Sequence, residues 1–182
     1  MKFDFPKGWA ALLGAGLLAS ASAGAQSEWI DYGIINKADS HKCISLQADA
    51  QHAEGAAVSL QACATDVVDG SQAWGWIPAE RKLRKGAKAY AFQNVLSKTC
   101  MGVQNASTRN KALLVSVRCD FNDPAQLWVV GAQLRAGSSL AGSTKWVNLK
   151  SRKCIDLDDD GRLMQLTCQW SAPYWPQEYI AP

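Results

Sequence analysis

Only two histidines, His41 and His52, occur in the chain, and none of the six cysteines forms a C-x-x-C pair. A zinc centre built from closely spaced thiolates and imidazoles is therefore disfavoured, and no metal is expected. Neither histidine has a nucleophile and an orienting carboxylate patterned about it, so the chain is read as non-enzymatic. Charged residues make up 19% of the sequence and leave a formal charge of +3, a balance that demands no polyanionic partner, so no nucleic acid is expected. No segment approaches the roughly 20 consecutive apolar residues of a membrane helix. After residue 26 nothing keeps a helical period with caps, which excludes a helical architecture. No cofactor is implied.

What is present begins with an N-terminal stretch carrying Lys2 and Lys7, an apolar core from Trp9 to Ala19, and small residues ending Ala23-Gly24-Ala25. This pattern reads as a signal peptide over residues 1–25, cleaved before Gln26. Its loss removes Lys2, Lys7 and Asp4 and lowers the formal charge from +3 to +2. The expectation is a secreted protein, extracellular or periplasmic, with residues 26–182 as one domain. No cysteine lies near the cleavage point, which argues against a lipid anchor there.

All six cysteines, Cys43, Cys63, Cys100, Cys119, Cys154 and Cys168, follow this segment, an even number in an exported chain, so disulfides are expected. Stacking the cysteine pairs reveals three related units, at about 30–77, 88–130 and 144–180. The first reads IINKADSHKCISL, VSLQAC, SQAW; the second FQNVLSKTCMGV, LVSVRC, AQLW; the third WVNLKSRKCIDL, LMQLTC, PQEY. Asn36 precedes Cys43 by seven positions, while Asn94 and Asn148 precede Cys100 and Cys154 by six. Gln72, Gln126 and Gln177 follow the second cysteine of their units by nine, seven and nine. Of the 15 possible pairings, only Cys43 with Cys63, Cys100 with Cys119 and Cys154 with Cys168 gives every unit the same internal staple. Ile44 and Leu46, Met101 and Val103, and Ile155 and Leu157 alternate with small or polar residues as half-buried strands do. The segments Pro78 to Lys88 and Gly131 to Lys145 are expected to be hairpins or loops between units.

The Gln-x-Trp pattern at Gln72-Ala73-Trp74 and Gln126-Leu127-Trp128, with Gln177-Glu178-Tyr179 as a variant, resembles the ricin-type lectin repeat. The resemblance implies an all-β chain, a β-trefoil of three pseudo-repeats that close a six-stranded barrel capped by three hairpins. Trp74, Trp128 and Tyr179 would then fill the shared core, with the glutamine amides satisfying buried backbone groups. It also implies where sugar would bind: an Asp two positions after the first Cys, an aromatic two before the second, and a polar residue before the Gln. The first unit has Ser45, Gln61 and Ser71 at those places, and the second has Gly102, Val117 and Ala125, so both look degenerate. The third keeps Asp156 but has Leu166 and Pro176; Trp170, Tyr174 and Trp175 crowd the following stretch and offer rings from elsewhere in the chain. The sugar-binding residues expected are Asp156, Trp170, Trp175 and Gln177, with glycans as ligands. The alternative is a binding or delivery subunit with a protein partner, similar to the trefoil subunits of cytolethal distending toxins.

Three other signals are weaker. Asp156 to Gly161 fits the opening of a calcium loop, but Thr167 stands where the closing glutamate should be. The basic run Arg81-Lys82-Leu83-Arg84-Lys85, with Lys88 beyond, could meet acidic glycans or anionic lipid heads, or simply be a solvated hairpin. Asn105-Ala106-Ser107 has the form of a glycosylation sequon.

Overall fold

The computed structural model describes residues 32–33, 35–36, 42–47, 54–64, 70–81, 83, 87–130, 145–170, 177 and 179–180. The expected signal peptide, His41, His52, Tyr174, Trp175 and the segment 131–144 lie outside the described residues. The first unit holds β1 (Tyr32–Gly33), β2 (Ile35–Asn36), β3 (Lys42–Leu46), β4 (Val58–Ala62) and β5 (Ala73–Pro78). The second holds β6 (Ala89–Asn94), β7 (Cys100–Val103), β8 (Leu114–Val117) and β9 (Trp128–Val130); the third, β10 (Trp146–Asn148), β11 (Cys154–Leu157), β12 (Leu163–Leu166) and β13 (Tyr179–Ile180). Among the described residues helical structure is confined to 3-10 turns, at Gln104–Ala106 and at Gln177, and no helix is long and apolar enough to cross a membrane.

Strand pairing makes the threefold repeat physical. Trp74 of β5 stands opposite Asn94 of β6, Trp128 of β9 opposite Asn148 of β10, and Tyr179 of β13 opposite Asn36 of β2. Each unit's last strand thus pairs with the next unit's first, and the third returns to the first. Of the other strands, β1 pairs with β5 and the remaining six form the antiparallel hairpins β3–β4, β7–β8 and β11–β12. These hairpins touch through three bridges, Ala57 to Val115, Leu113 to Met164 and Ser59 to Arg162, each joining a different pair of units. Six barrel positions and three capping hairpins around one axis are a β-trefoil.

Large apolar side chains fill the middle, as burial of roughly 25 cal/mol per Å² of apolar surface favours. Trp74, Trp128, Trp146, Tyr179 and Phe92 are wholly buried, with Phe92 stacked on Trp146 at 4.4 Å between ring centres. Trp74 and Trp128 donate their indole N–H groups to the carbonyls of Ile44 (3.0 Å) and Met101 (3.2 Å), the residue after the first cysteine in each unit.

Disulfides join Cys43 to Cys63, Cys100 to Cys119 and Cys154 to Cys168, one within each unit. On the chain-entropy view each constrains the unfolded chain by about 3 kcal/mol.

The half-buried reading of the strands needs correction. In β3, β7 and β11 the residues between the core positions, Ser45, Gly102 and Asp156, are buried as well. Their face of the hairpin is covered from outside the unit's own strand pair, by the segment that carries the Gln-x-aromatic motif. In unit one Leu46 N–H donates to Ser71 O (3.1 Å), and in unit two Val103 N–H donates to Ala125 O (3.2 Å).

Candidate functional site

The motif glutamine does the same structural work in all three units. Gln72 Oε1 accepts from the N–H of Ala64 (2.8 Å) while its Nε2 donates to Ala62 O (2.8 Å). Gln126 bridges Asp120 N–H (2.9 Å) and Arg118 O (3.2 Å), and Gln177 bridges Gln169 N–H (2.9 Å) and Thr167 O (3.2 Å). The amide therefore holds the backbone on both sides of each second cysteine and fills the hydrogen-bonding demand of buried peptide groups.

The conserved spacing of Asn94 and Asn148 has an equally local cause. Asn94 Nδ2 donates to the carbonyls of Gly70, Ser71 and Ala73, and Asn148 Nδ2 to those of Ala125 (2.9 Å) and Leu127 (3.4 Å), in each case across the boundary to the preceding unit. Their Oδ1 atoms accept from the two N–H groups that open the next turn. Both asparagines are wholly buried. Their spacing marks the repeat in the sequence, but this role depends on carbonyls of the preceding unit that the spacing does not show.

The position two residues after the first cysteine separates the units. In unit one the Ser45 hydroxyl lies 3.2 Å from that of Ser71 and donates to Leu46 O (3.0 Å), so its polar capacity is used internally. In unit two there is no side chain, and there is no space for one: a Cβ on Gly102 would lie 2.8 Å from Val117 Cγ2 and 3.2 Å from Gln126 Cγ. Only unit three has a carboxylate. Asp156, 1% exposed, accepts from Leu157 N–H at Oδ1 (2.7 Å) and from Gln177 Nε2 at Oδ2 (2.7 Å). An ionised carboxylate has about four lone-pair sites, so these two bonds orient it without exhausting it.

Of the four expected sugar-binding residues, then, Asp156 and Gln177 stand in direct contact. Trp170 is half-buried and follows Gln169, whose N–H is held by Gln177; Trp175 lies outside the described residues. Leu166, where the resemblance implies a ring, pairs with Cys154 across the hairpin.

Asp158 does not belong to this site. β11 ends at Leu157, and the chain turns: Asp158 Oδ1 accepts from the N–H groups of Asp160 (3.0 Å) and Arg162 (2.8 Å), and Oδ2 from Arg162 Nε (2.7 Å). Gly161 takes φ +76° to complete the turn, a conformation that costs glycine little. Burial alone would raise the Asp158 carboxyl, but the Arg162 side-chain bond, its charge and the two backbone N–H groups together hold it below the usual value. Asp160 also reaches Arg162, at 3.1 Å. Among the described residues no three His, Cys, Asp or Glu side chains gather in a way that could hold a metal ion.

Comparison with known proteins adds to this geometry. The model of the family described as ricin-type beta-trefoil lectin domain-like matches residues 70–170. No curated protein matches the sequence. Among solved structures the chain is similar to the designed threefold-symmetric protein ThreeFoil, at 18% identity and a TM-score of 0.64, over 82% of this chain and 95% of that one. It is also similar to a Polyporus squamosus lectin bound to a human-type influenza-binding epitope, at 13% identity and a TM-score of 0.62, over 84% of this chain. The similarity spans 48% of that lectin's chain. A third is the Haemophilus ducreyi cytolethal distending toxin, at 13% identity and a TM-score of 0.56, over 82% of this chain and 81% of that one. At such identities the structural likenesses speak for the fold.

Proposed function

The chain belongs to the ricin-type β-trefoil lectin domain-like family, and on that premise we propose that it is a secreted, non-catalytic carbohydrate-binding protein whose sugar site is in the third unit. In this reading residues 1–25 are a signal peptide and residues 26–182 the domain, with units at about 30–77, 88–130 and 144–180. The observation that carries the proposal is the 2.7 Å bond from Gln177 Nε2 to Asp156 Oδ2. It fixes a buried carboxylate at the one pseudo-equivalent position that the other two units have filled or emptied. Asp156 is the acceptor for sugar hydroxyls, Gln177 orients it, and Trp170 or Trp175 supplies a ring for the apolar face of a pyranose.

Binding rather than hydrolysis is favoured by the partners of Asp156. Glycoside hydrolysis calls for two carboxyl groups facing one bond. Asp156 is met by an amide and a backbone N–H, and the next carboxylate, Asp158, is turned into its bond with Arg162. A single shallow site binds weakly, so avidity would come from clustered glycans.

A glycan array of the mature protein, run beside Asp156→Ala, tests the proposal. Selective binding that the variant loses while still folded supports it; no binding to any glycan, with the two proteins indistinguishable, rejects it. The second reading, a delivery subunit that docks a protein partner, is favoured by the occupied positions at Ser45 and Gly102 and by the likeness to the distending toxin. Copurification from the native host separates the two.

A further inference from the structure

The whole-chain charge is nearly balanced, but the described surface concentrates cations in one hollow. A cavity of about 510 Å³ is lined by Arg81, Leu83, Pro124, Leu149, Lys150 and Arg152. Arg81 comes from the connector between units one and two, Pro124 from the end of unit two, and Leu149 to Arg152 from the turn that opens unit three. The three cationic side chains are exposed. Among the described residues none of them has an ion pair, and no acidic residue lines this cavity.

The walls are built. Leu83 packs with Leu127, Val129 and Leu149 in an apolar cluster separate from the barrel core. The turn carrying Lys150 and Arg152 is pinned by Asn148: its Oδ1 accepts from Lys150 N–H at 3.1 Å, and its backbone O accepts from Arg152 N–H at 3.0 Å. Lys150 N–H also lies 3.1 Å from Pro124 O. Arg152 is held at φ +61° by this arrangement. An adjoining hollow of about 470 Å³ shares Arg81 and Leu83, runs along the connector to Lys88 and carries one acidic residue, Glu80, on its wall.

We propose that this groove is a second ligand site, distinct from the Asp156 pocket, and that it takes an acidic glycan through its sulfate or carboxylate groups. Guanidinium groups pair with such anions bidentately, while Leu83, Pro124 and Leu149 offer apolar surface to the face of a sugar ring. Two continuous hollows suit an oligosaccharide better than a single small ion. Among the described residues no aromatic ring lines either hollow, and so they offer none of the stacking platform that single-stranded nucleic acid uses.

The test is calorimetric titration of the mature protein with a sulfated heparin hexasaccharide and with its desulfated, N-acetylated counterpart. The sulfated probe should bind about tenfold or more tightly than the desulfated one, and the triple variant Arg81→Gln, Lys150→Gln, Arg152→Gln should lose about tenfold or more. Arg109→Gln, an exposed cation elsewhere on the surface, should change affinity less than about twofold, in keeping with the small worth of an exposed charge. The triple variant should keep whatever binding of neutral glycans the parent shows, so failure here is distinguishable from failure of the third-unit site. Lys150→Gln alone serves if the triple variant does not fold. Equal binding of the two probes, equal loss with Arg109→Gln, an unaffected groove variant, or tighter binding to phosphatidylserine vesicles or single-stranded DNA would each overturn the proposal.

Discussion

Replacing Asp156 by asparagine keeps the size of the side chain and changes only its hydrogen-bonding character. Both carboxylate oxygens act as acceptors, Oδ1 for Leu157 N–H and Oδ2 for Gln177 Nε2, each at 2.7 Å. Asparagine has one acceptor oxygen, so whichever way its amide turns, an N–H group faces another N–H group. Gln177 has no compensating flip, because its Oε1 already accepts from Gln169 N–H and its Nε2 also donates to Thr167 O. One hydrogen bond to a buried charge is lost, at a cost of about 1.5–3 kcal/mol. For a domain of this size each kcal/mol moves Tm by roughly 2–4 °C, so a fall of about 3–12 °C is expected. Urea denaturation of the variant, with Asp159→Asn as an exposed control, gives the free-energy difference directly. A variant within about 0.5 kcal/mol of the parent would refute the two-acceptor geometry. Enough stability remains at 25 °C for glycan binding to be measured on folded protein, and the variant should bind far more weakly than the parent.

Asn148→Ala removes two donations to unit-two carbonyls and two acceptances from the following turn; a loss of about 3 kcal/mol is expected in urea denaturation, and a loss below about 1 kcal/mol would count against the inter-unit role. Gly102→Asp should not create a second sugar site, because Val117 occupies the space. It should destabilise by about 1–3 kcal/mol from overpacking, with part of the loss recovered by adding Val117→Ala and the glycan array unchanged. Asp158→Ala should cost about 1 kcal/mol at pH 7 through its lost turn bonds. Since the folded-state pKa of Asp158 is lowered, that contribution is present above the unfolded value of about 4 and is lost as pH falls through the folded value. Stability curves of parent and variant should therefore converge below about pH 4, and a gap constant down to pH 2 would contradict the bond with Arg162.

The threefold organisation and the pairing of the cysteines could be read from spacing, and the barrel role of Trp74, Trp128 and Tyr179 from the resemblance of the Gln-x-Trp pattern to the ricin-type repeat. Each unit must meet the same neighbours, so the same residue types recur at nearly the same intervals. Spacing along one chain also marked Ser45, Gly102 and Asp156 as equivalent, and Asp156 as the one with charge. It could not say what occupies the space around them, because Ser71, Val117 and the Gln177 amide arrive from other strands. Uninterrupted strand alternation would place Asp158 on the same side as Asp156, yet the strand stops at Leu157, and the carboxylate of Asp158 bonds to the turn it starts. Phe92 and Trp146 read only as aromatics until packing put them ring on ring in the core. The basic run at Arg81 looked like a solvated hairpin for the same reason: Lys150 and Arg152, far away in sequence, share its groove only because the third unit's turn folds back against the first connector. Local pattern decides which residues face inward; which charges and carboxylates meet is settled by strand pairing between distant segments, where the spacing of one chain holds no information.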